Sequence, residues 1–190
     1  PLYIACFNGH LEIARLLLEA SAAVGQAEKR GATPLFIASH NGHLECARLL
    51  LAAGAAVDQA EEQGATPLLI ACQKGHLEVA RLLRDARADI NPPSHDATTP
   101  RSMACHSGHL DVARLLLEAG AAVSQASNNG STPLFAASHF GHLEVAKLLS
   151  SYGASRAAVP PFSTPEELAN SQGHADIAAW LVASRGWTPL

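Results

Sequence analysis

The pair Gly-His returns at His10, His43, His76, His109, His142 and His174, with four successive intervals of 33 residues and a last one of 32. A Thr-Pro pair keeps the same beat at Thr33-Pro34, Thr66-Pro67, Thr99-Pro100, Thr132-Pro133 and Thr164-Pro165. A unit this short cannot enclose a core of its own, so each copy must bury its apolar face on its neighbours, and the chain reads as a linear array. Arrays offer long surfaces and seldom enclosed pockets, which narrows the range of functions before any side chain is weighed.

The second copy, residues 28–60, carries every local signal. Thr33 is placed to cap exposed amide donors, and Pro34 suits the first helical position because its missing N–H costs nothing there. A short helix is predicted through Leu35, Phe36, Ile37, Ala38 and Ser39, ended by Gly42, which is free to take a positive φ. A second helix follows His43, with Cys46, Ala47, Leu50 and Leu51 on one apolar stripe and Glu45 and Arg48 toward solvent. Gly54 stops it, and residues 55–64 read as an extended loop or hairpin. At roughly 1.5 to 3 kcal/mol per fully buried Leu or Val, the stacking faces supply the stability, and one unit alone should not fold.

This anatomy resembles the ankyrin repeat in Thr33-Pro34-Leu35-Phe36-Ile37-Ala38, Gly42-His43, Leu50-Leu51 and Gly54-Ala55, with equivalents in the other copies. The resemblance covers essentially the whole chain. It implies an all-α repeat solenoid: stacked helix-turn-helix units joined by β-hairpin-like loops. The approximate repeats are 1–27, 28–60, 61–93, 94–126, 127–158 and 159–186, and residues 187–190 read as the start of a further element. Because Pro1 falls inside a unit and no initiator Met is present, the expectation is a fragment whose parent extends both ways.

Departures from the pattern mark particular units. The His usual after Thr-Pro-Leu is replaced by Tyr3, Phe36, Leu69, Ser102, Phe135 and Glu167, so apolar packing is expected to substitute for its hydrogen bonds in most copies. In the fourth unit Arg101 stands where Leu35, Leu68 and Leu134 stand, Arg87 replaces the helix-ending Gly, and Asn91-Pro92-Pro93 stiffens the preceding loop. Local strain or mobility is predicted there. Glu166-Glu167 in the sixth unit, after a loop shortened around Pro160-Pro161, suits a cap that faces water on one side.

Composition excludes several functions. A formal charge of -4 and a pI near 6.2 leave no basic footprint for nucleic acid. No apolar run approaches the roughly 20 residues that span a bilayer, so no membrane role is expected. Cys6, Cys72 and Cys105 share one position, filled elsewhere by Ser39 and Ser138. Successive units lie about 10 Å apart, beyond the roughly 7 Å that a disulfide tolerates between Cα atoms, so these read as small buried thiols in a reducing compartment.

The six Gly-His histidines are expected to make one corner hydrogen bond each rather than bind metal. His106 and His139 on adjacent units would stand too far apart for one zinc with bonds of about 2.0 Å. No Gly-x-Ser-x-Gly elbow or phosphate-cradling loop is present, so neither enzymatic activity nor a cofactor is expected. The pairs Glu12/Arg15, Glu45/Arg48, Glu78/Arg81, Asp111/Arg114 and Glu144/Lys147 are predicted to brace the second helices at about 0.2 to 0.5 kcal/mol each.

What remains is the set of positions that differ between copies. The resemblance places Lys29, Arg30, Glu62, Gln63, His95, Asp96, Asn128 and Asn129 at loop tips, and His40, Asn41, Gln73, Lys74, His106, His139 and Phe140 at the exposed ends of first helices, along one concave side. Apart from His95 and Asp96, these are the candidate partner-binding residues. Phe140 stands where the other copies carry Asn8, Asn41, Lys74, Ser107 and Gln172; it is either a binding hot spot or folded back onto Phe135 or a neighbouring unit. Asn91 resembles the target of an asparaginyl hydroxylase, with Pro92-Pro93 placed to block it. The implied function is a protein-protein interaction scaffold, a monomeric array in the cytoplasm or nucleus holding a protein partner along its groove. The alternative is a regulatory or substrate-recruiting segment of a larger enzyme or ubiquitin-ligase adaptor, and a structural spacer is the third reading.

Overall fold

A computed structural model describes residues 1–158 and 163–186; the Pro160-Pro161 loop and the proposed element at 187–190 lie outside the described residues. The helices come in pairs: α1 (Leu2–Phe7) with α2 (Leu11–Glu19), α3 (Pro34–Asn41) with α4 (Leu44–Ala52), and α5 (Pro67–Lys74) with α6 (Leu77–Asp85). The remaining pairs are α7 (Pro100–His106) with α8 (Leu110–Glu118), α9 (Pro133–His139) with α10 (Leu143–Ser151), and α11 (Pro165–Ser171) with α12 (Ala175–Ala183). Each first helix packs on the first helices of adjacent units and on its own partner, while the second helices form a parallel outer row.

The start and stop signals act as read. Thr33 Oγ1 accepts the Phe36 amide at 3.1 Å, and Thr66 does the same for Leu69 at 3.2 Å, with a proline opening each helix. Gly42 and Gly75 close α3 and α5 in the left-handed region at φ 74° and 75°. The core is one continuous strip. Ala14, Ala47, Ala80, Ala113 and Ala146 are fully buried at one equivalent position, where a small residue lets the two helix rows meet closely.

The loops are hairpin-shaped without forming strands among the described residues. Each tip is closed by two backbone bonds, as from the Glu28 amide to the Ala32 carbonyl and from the Gly31 amide to the Glu28 carbonyl, both at 3.0 Å, and tied to the next tip by another. Those ties run from the amides of Glu62, His95 and Asn128 to the carbonyls of Arg30, Gln63 and Asp96 at 3.0, 3.1 and 2.9 Å. Two residues per tip leave no length for a ladder.

The fourth unit is strained as expected. Arg87 and Ala97 hold φ 64° and 61°, at positions where other units use glycines such as Gly54, Gly120, Gly64 and Gly130. Arg101 is buried in the leucine position; its Nη1 donates to the Val123 carbonyl, its Nε has no partner, and burial pushes its pKa down. At the far end Glu166 faces Arg185, with Nη2 to Oε2 at 2.5 Å, and Glu167 completes a capping box with Thr164. Four of the five expected helix pairs form, at 2.7 to 3.7 Å. Asp111 does not pair with Arg114, its side chain being one methylene shorter than the glutamates at the equivalent positions.

Candidate functional site

The corner histidines bind the stack together. Nε2 of His43, His76, His109, His142 and His174 each lies 3.0 Å from a carbonyl at the end of the preceding first helix, that of Phe7, His40, Gln73, His106 and His139 respectively. A carbonyl only accepts, so Nε2 carries the proton. The same ring packs on the preceding unit's glycine: a Cβ on Gly75 would come within 2.5 Å of the His109 ring. Gly and His are therefore one device shared by consecutive units, and no group of three or more His, Cys, Asp or Glu among the described residues is arranged to hold a metal.

The four cysteines are free and buried. Burial pushes the Cys105 thiol up to about 12 despite the nearby Arg101 charge, and that of Cys72 higher still. Thiols so far from ionisation are poor nucleophiles.

Two hollows lie between the loop tips and the first helices, and of the candidate residues Gln63, His106, Asn128 and Asn129 line them. One, of about 490 Å³, is lined both by the tips, through Gln63, Asp96 and Asn128, and by first-helix residues Leu69 and Met103. A second, of about 230 Å³, is lined by Asp96 and Asn129 from the tips and by Met103, His106 and Ala136 from the helices. Both centre on the fourth unit. Ser102 borders the second and lies where Tyr3, Phe36, Leu69 and Phe135 carry bulk, so lost volume opens the floor.

Not every candidate residue is available to a partner. Asn41 donates to the Phe7 carbonyl at 2.8 Å and meets His40 Nδ1 at 2.7 Å, so both are engaged in the stack. Asn128 donates to the His95 carbonyl at 3.1 Å, and Asn129 accepts from Ser127 and the Ser131 amide at 2.6 and 2.9 Å. Lys29, Arg30, Glu62 and Lys74 are exposed with no side-chain partner among the described residues. Gln63 is exposed beside the larger hollow, and Gln73 is half-buried, its carbonyl taken by His109.

Phe140 remains 44% exposed while leaning on the preceding unit. Its ring centroid lies 4.2 Å from His106, 4.6 Å from His139 and 6.4 Å from His142. Burial and the neighbouring His142 and His139 lower the His106 pKa. Asn91, the candidate hydroxylation target, accepts the Ala122 amide through Oδ1 at 3.3 Å and spends its own amide on Asp89 at 2.9 Å. Reasoning from sequence missed Met103 and Ser102 as groove residues. The available signal was Ser102 itself, a small residue in a bulky series.

These features define a solenoid of stacked helix pairs with a side-chain-lined groove and no helix among the described residues long and apolar enough to cross a membrane. A family model described as ankyrin repeats, in three copies, matches residues 2–94 and again 89–158, and the chain belongs to that family. Ankyrin repeats are generally protein-protein interaction modules. No curated protein matches the chain.

Proposed function

We propose that the array is a non-enzymatic scaffold that holds a protein partner along its concave groove. The observation that carries this reading is the division of labour among side chains. Threonine caps, corner histidines and tip asparagines are spent on the stack, while Lys29, Arg30 and Glu62 on the tips and Lys74 and Phe140 at first-helix ends are left exposed. Bonds between tips and between corners fix these groups in advance, so little ordering entropy is lost on binding. The mixed charges, positive at Lys29 and Arg30 and negative at Glu62 and Asp96, favour one orientation of a bound segment over its reverse.

The test uses peptides selected from a random phage-displayed library on the immobilised array. The triple variant K74A/H139A/F140A is expected to weaken the groove-bound class by at least about tenfold, roughly 1.4 kcal/mol. Its thermal midpoint should stay within about 2 °C of the parent, because none of the three removed side chains is buried. Selected peptides that bind parent and variant equally would overturn the groove assignment.

A further inference from the structure

On the fourth unit two hollows meet at Asp96, Thr98 and Met103, one floored by Leu69 and the other bordered by Ser102. Ser102 removes the bulk that Phe36 and Phe135 supply, and Met103 and Leu69 leave an apolar floor between the tips and the helices. Asp96 is the one carboxylate among the residues lining the two hollows, and no Lys or Arg lines either. Its Oδ1 accepts from Ser94 Oγ at 2.5 Å and from the Thr98 amide at 3.1 Å, the Thr98 side chain also hydrogen-bonds the carboxylate, and the residue is exposed to solvent. The tip is pinned on both sides, by the His95 amide on Gln63 and the Asn128 amide on the Asp96 carbonyl. The next tip repeats the bonding with Asn129, which receives Ser127 and Ser131 in the same way, so what distinguishes this tip is its charge.

We propose that the larger of these hollows, over Leu69 and Met103, is an anchor subsite for one Lys or Arg side chain of the groove-bound partner. The aliphatic stem lies over Leu69 and Met103, and the cationic head meets the outer oxygen of Asp96. Long basic side chains are apolar along the stem and charged at the head, which is the order of surfaces here. An acidic side chain would face Asp96 with Glu62 on the adjoining tip. A wholly apolar one would cover the carboxylate without giving it a partner, which is costly. The hydrogen bonds from Ser94 and Thr98 hold the Asp96 pKa below the usual carboxylate range, so the charge persists into mild acid.

This inference rests on the groove reading, and the experiment separates the two. Groove-bound peptides from the library selection, identified by their loss on K74A/H139A/F140A, are expected to share a basic residue. Changing that residue to Ala should weaken binding to the parent about tenfold, and to D96N less than about twofold, since the carboxylate is already gone. S102F, which restores the bulk of neighbouring units, should weaken the same peptides with the helical circular dichroism unchanged. Groove-bound peptides lacking a basic residue, or insensitive to D96N, would overturn the subsite and leave the groove standing. A selection that yields no peptide sensitive to any groove variant would overturn both.

Discussion

Single residues set local cost in this array. Arg87 and Ala97 sit in left-handed backbone at φ 64° and 61°, where a Cβ costs roughly 1 to 2 kcal/mol. R87G and A97G should each raise stability by about 1 kcal/mol in urea melts, the relief of strain outweighing the entropy of glycine; no gain from either would show that the strain is absent in solution. The buried thiols act in the opposite sense at high pH. The folded state holds Cys105 protonated up to about 12 against an ordinary value of 9.0, and Cys72 higher, so above pH 9 the unfolded chain sheds protons that the folded chain keeps. Stability is complete below that value and falls as pH rises, by at most about 1.4 kcal/mol per pH unit for each thiol. Ser39 and Ser138 occupy the equivalent position, so C72S/C105S should fold and should lose less of its urea midpoint between pH 8 and 10.5 than the parent; parallel losses would refute the thiol contribution.

At the scale of the element, the Gly-His corner joins two requirements: a left-handed turn that ends one helix and a flat glycine face that receives the next unit's ring. G75A meets both penalties, positive φ and a Cβ within 2.5 Å of the His109 ring, and is expected to cost at least about 2 kcal/mol. H109A alone should cost about 1 kcal/mol for the lost Nε2 to Gln73 carbonyl bond. In the double variant the ring is gone and only the backbone penalty persists, so the two costs should fall short of additivity by about 1 kcal/mol in equilibrium unfolding. Strict additivity would separate the pair into independent parts. The helices, their caps and the corner histidines were legible because each rests on a local rule repeated five or six times along the chain. The groove was only half legible. Tip and helix-end positions follow from the period, but whether an asparagine there is spent on its neighbour, as Asn41 at a helix end and Asn128 at a tip are, depends on distances across units that a linear pattern does not encode. The hollow at Ser102 and Met103 was missed for the same reason: a missing side chain leaves space only in three dimensions.

Over the whole molecule, each stacking surface can be compared with its equivalents, and the first unit stands apart. Ile13 is 51% exposed, whereas Cys46, Val79, Val112 and Val145 at the same position are at most 2% exposed. Ile4 and Leu16 share that outward face, and His10, unlike the five later corner histidines, has no carbonyl to receive its Nε2 proton among the described residues. In a stack whose stability is a sum over neighbouring interfaces, this face is an unsatisfied term. A second copy of residues 34–66 joined directly before Pro1 would continue the register, placing a Thr ahead of Pro1 as an N-cap and a complete helix pair over Ile4 and Ile13. Its thermal midpoint should rise by several degrees over the parent. More telling is the change in what two substitutions cost: I13D and H10A should be nearly silent in the parent, where both side chains meet water. In the extended chain I13D should cost at least about 2 kcal/mol and H10A about 1 kcal/mol, the loss of one buried aliphatic chain and of one corner bond. Urea unfolding of the four single variants decides the matter. Equal costs in both backgrounds, with the added unit cleaved rapidly by protease, would mean that burial in this solenoid does not propagate from unit to unit as its periodicity requires.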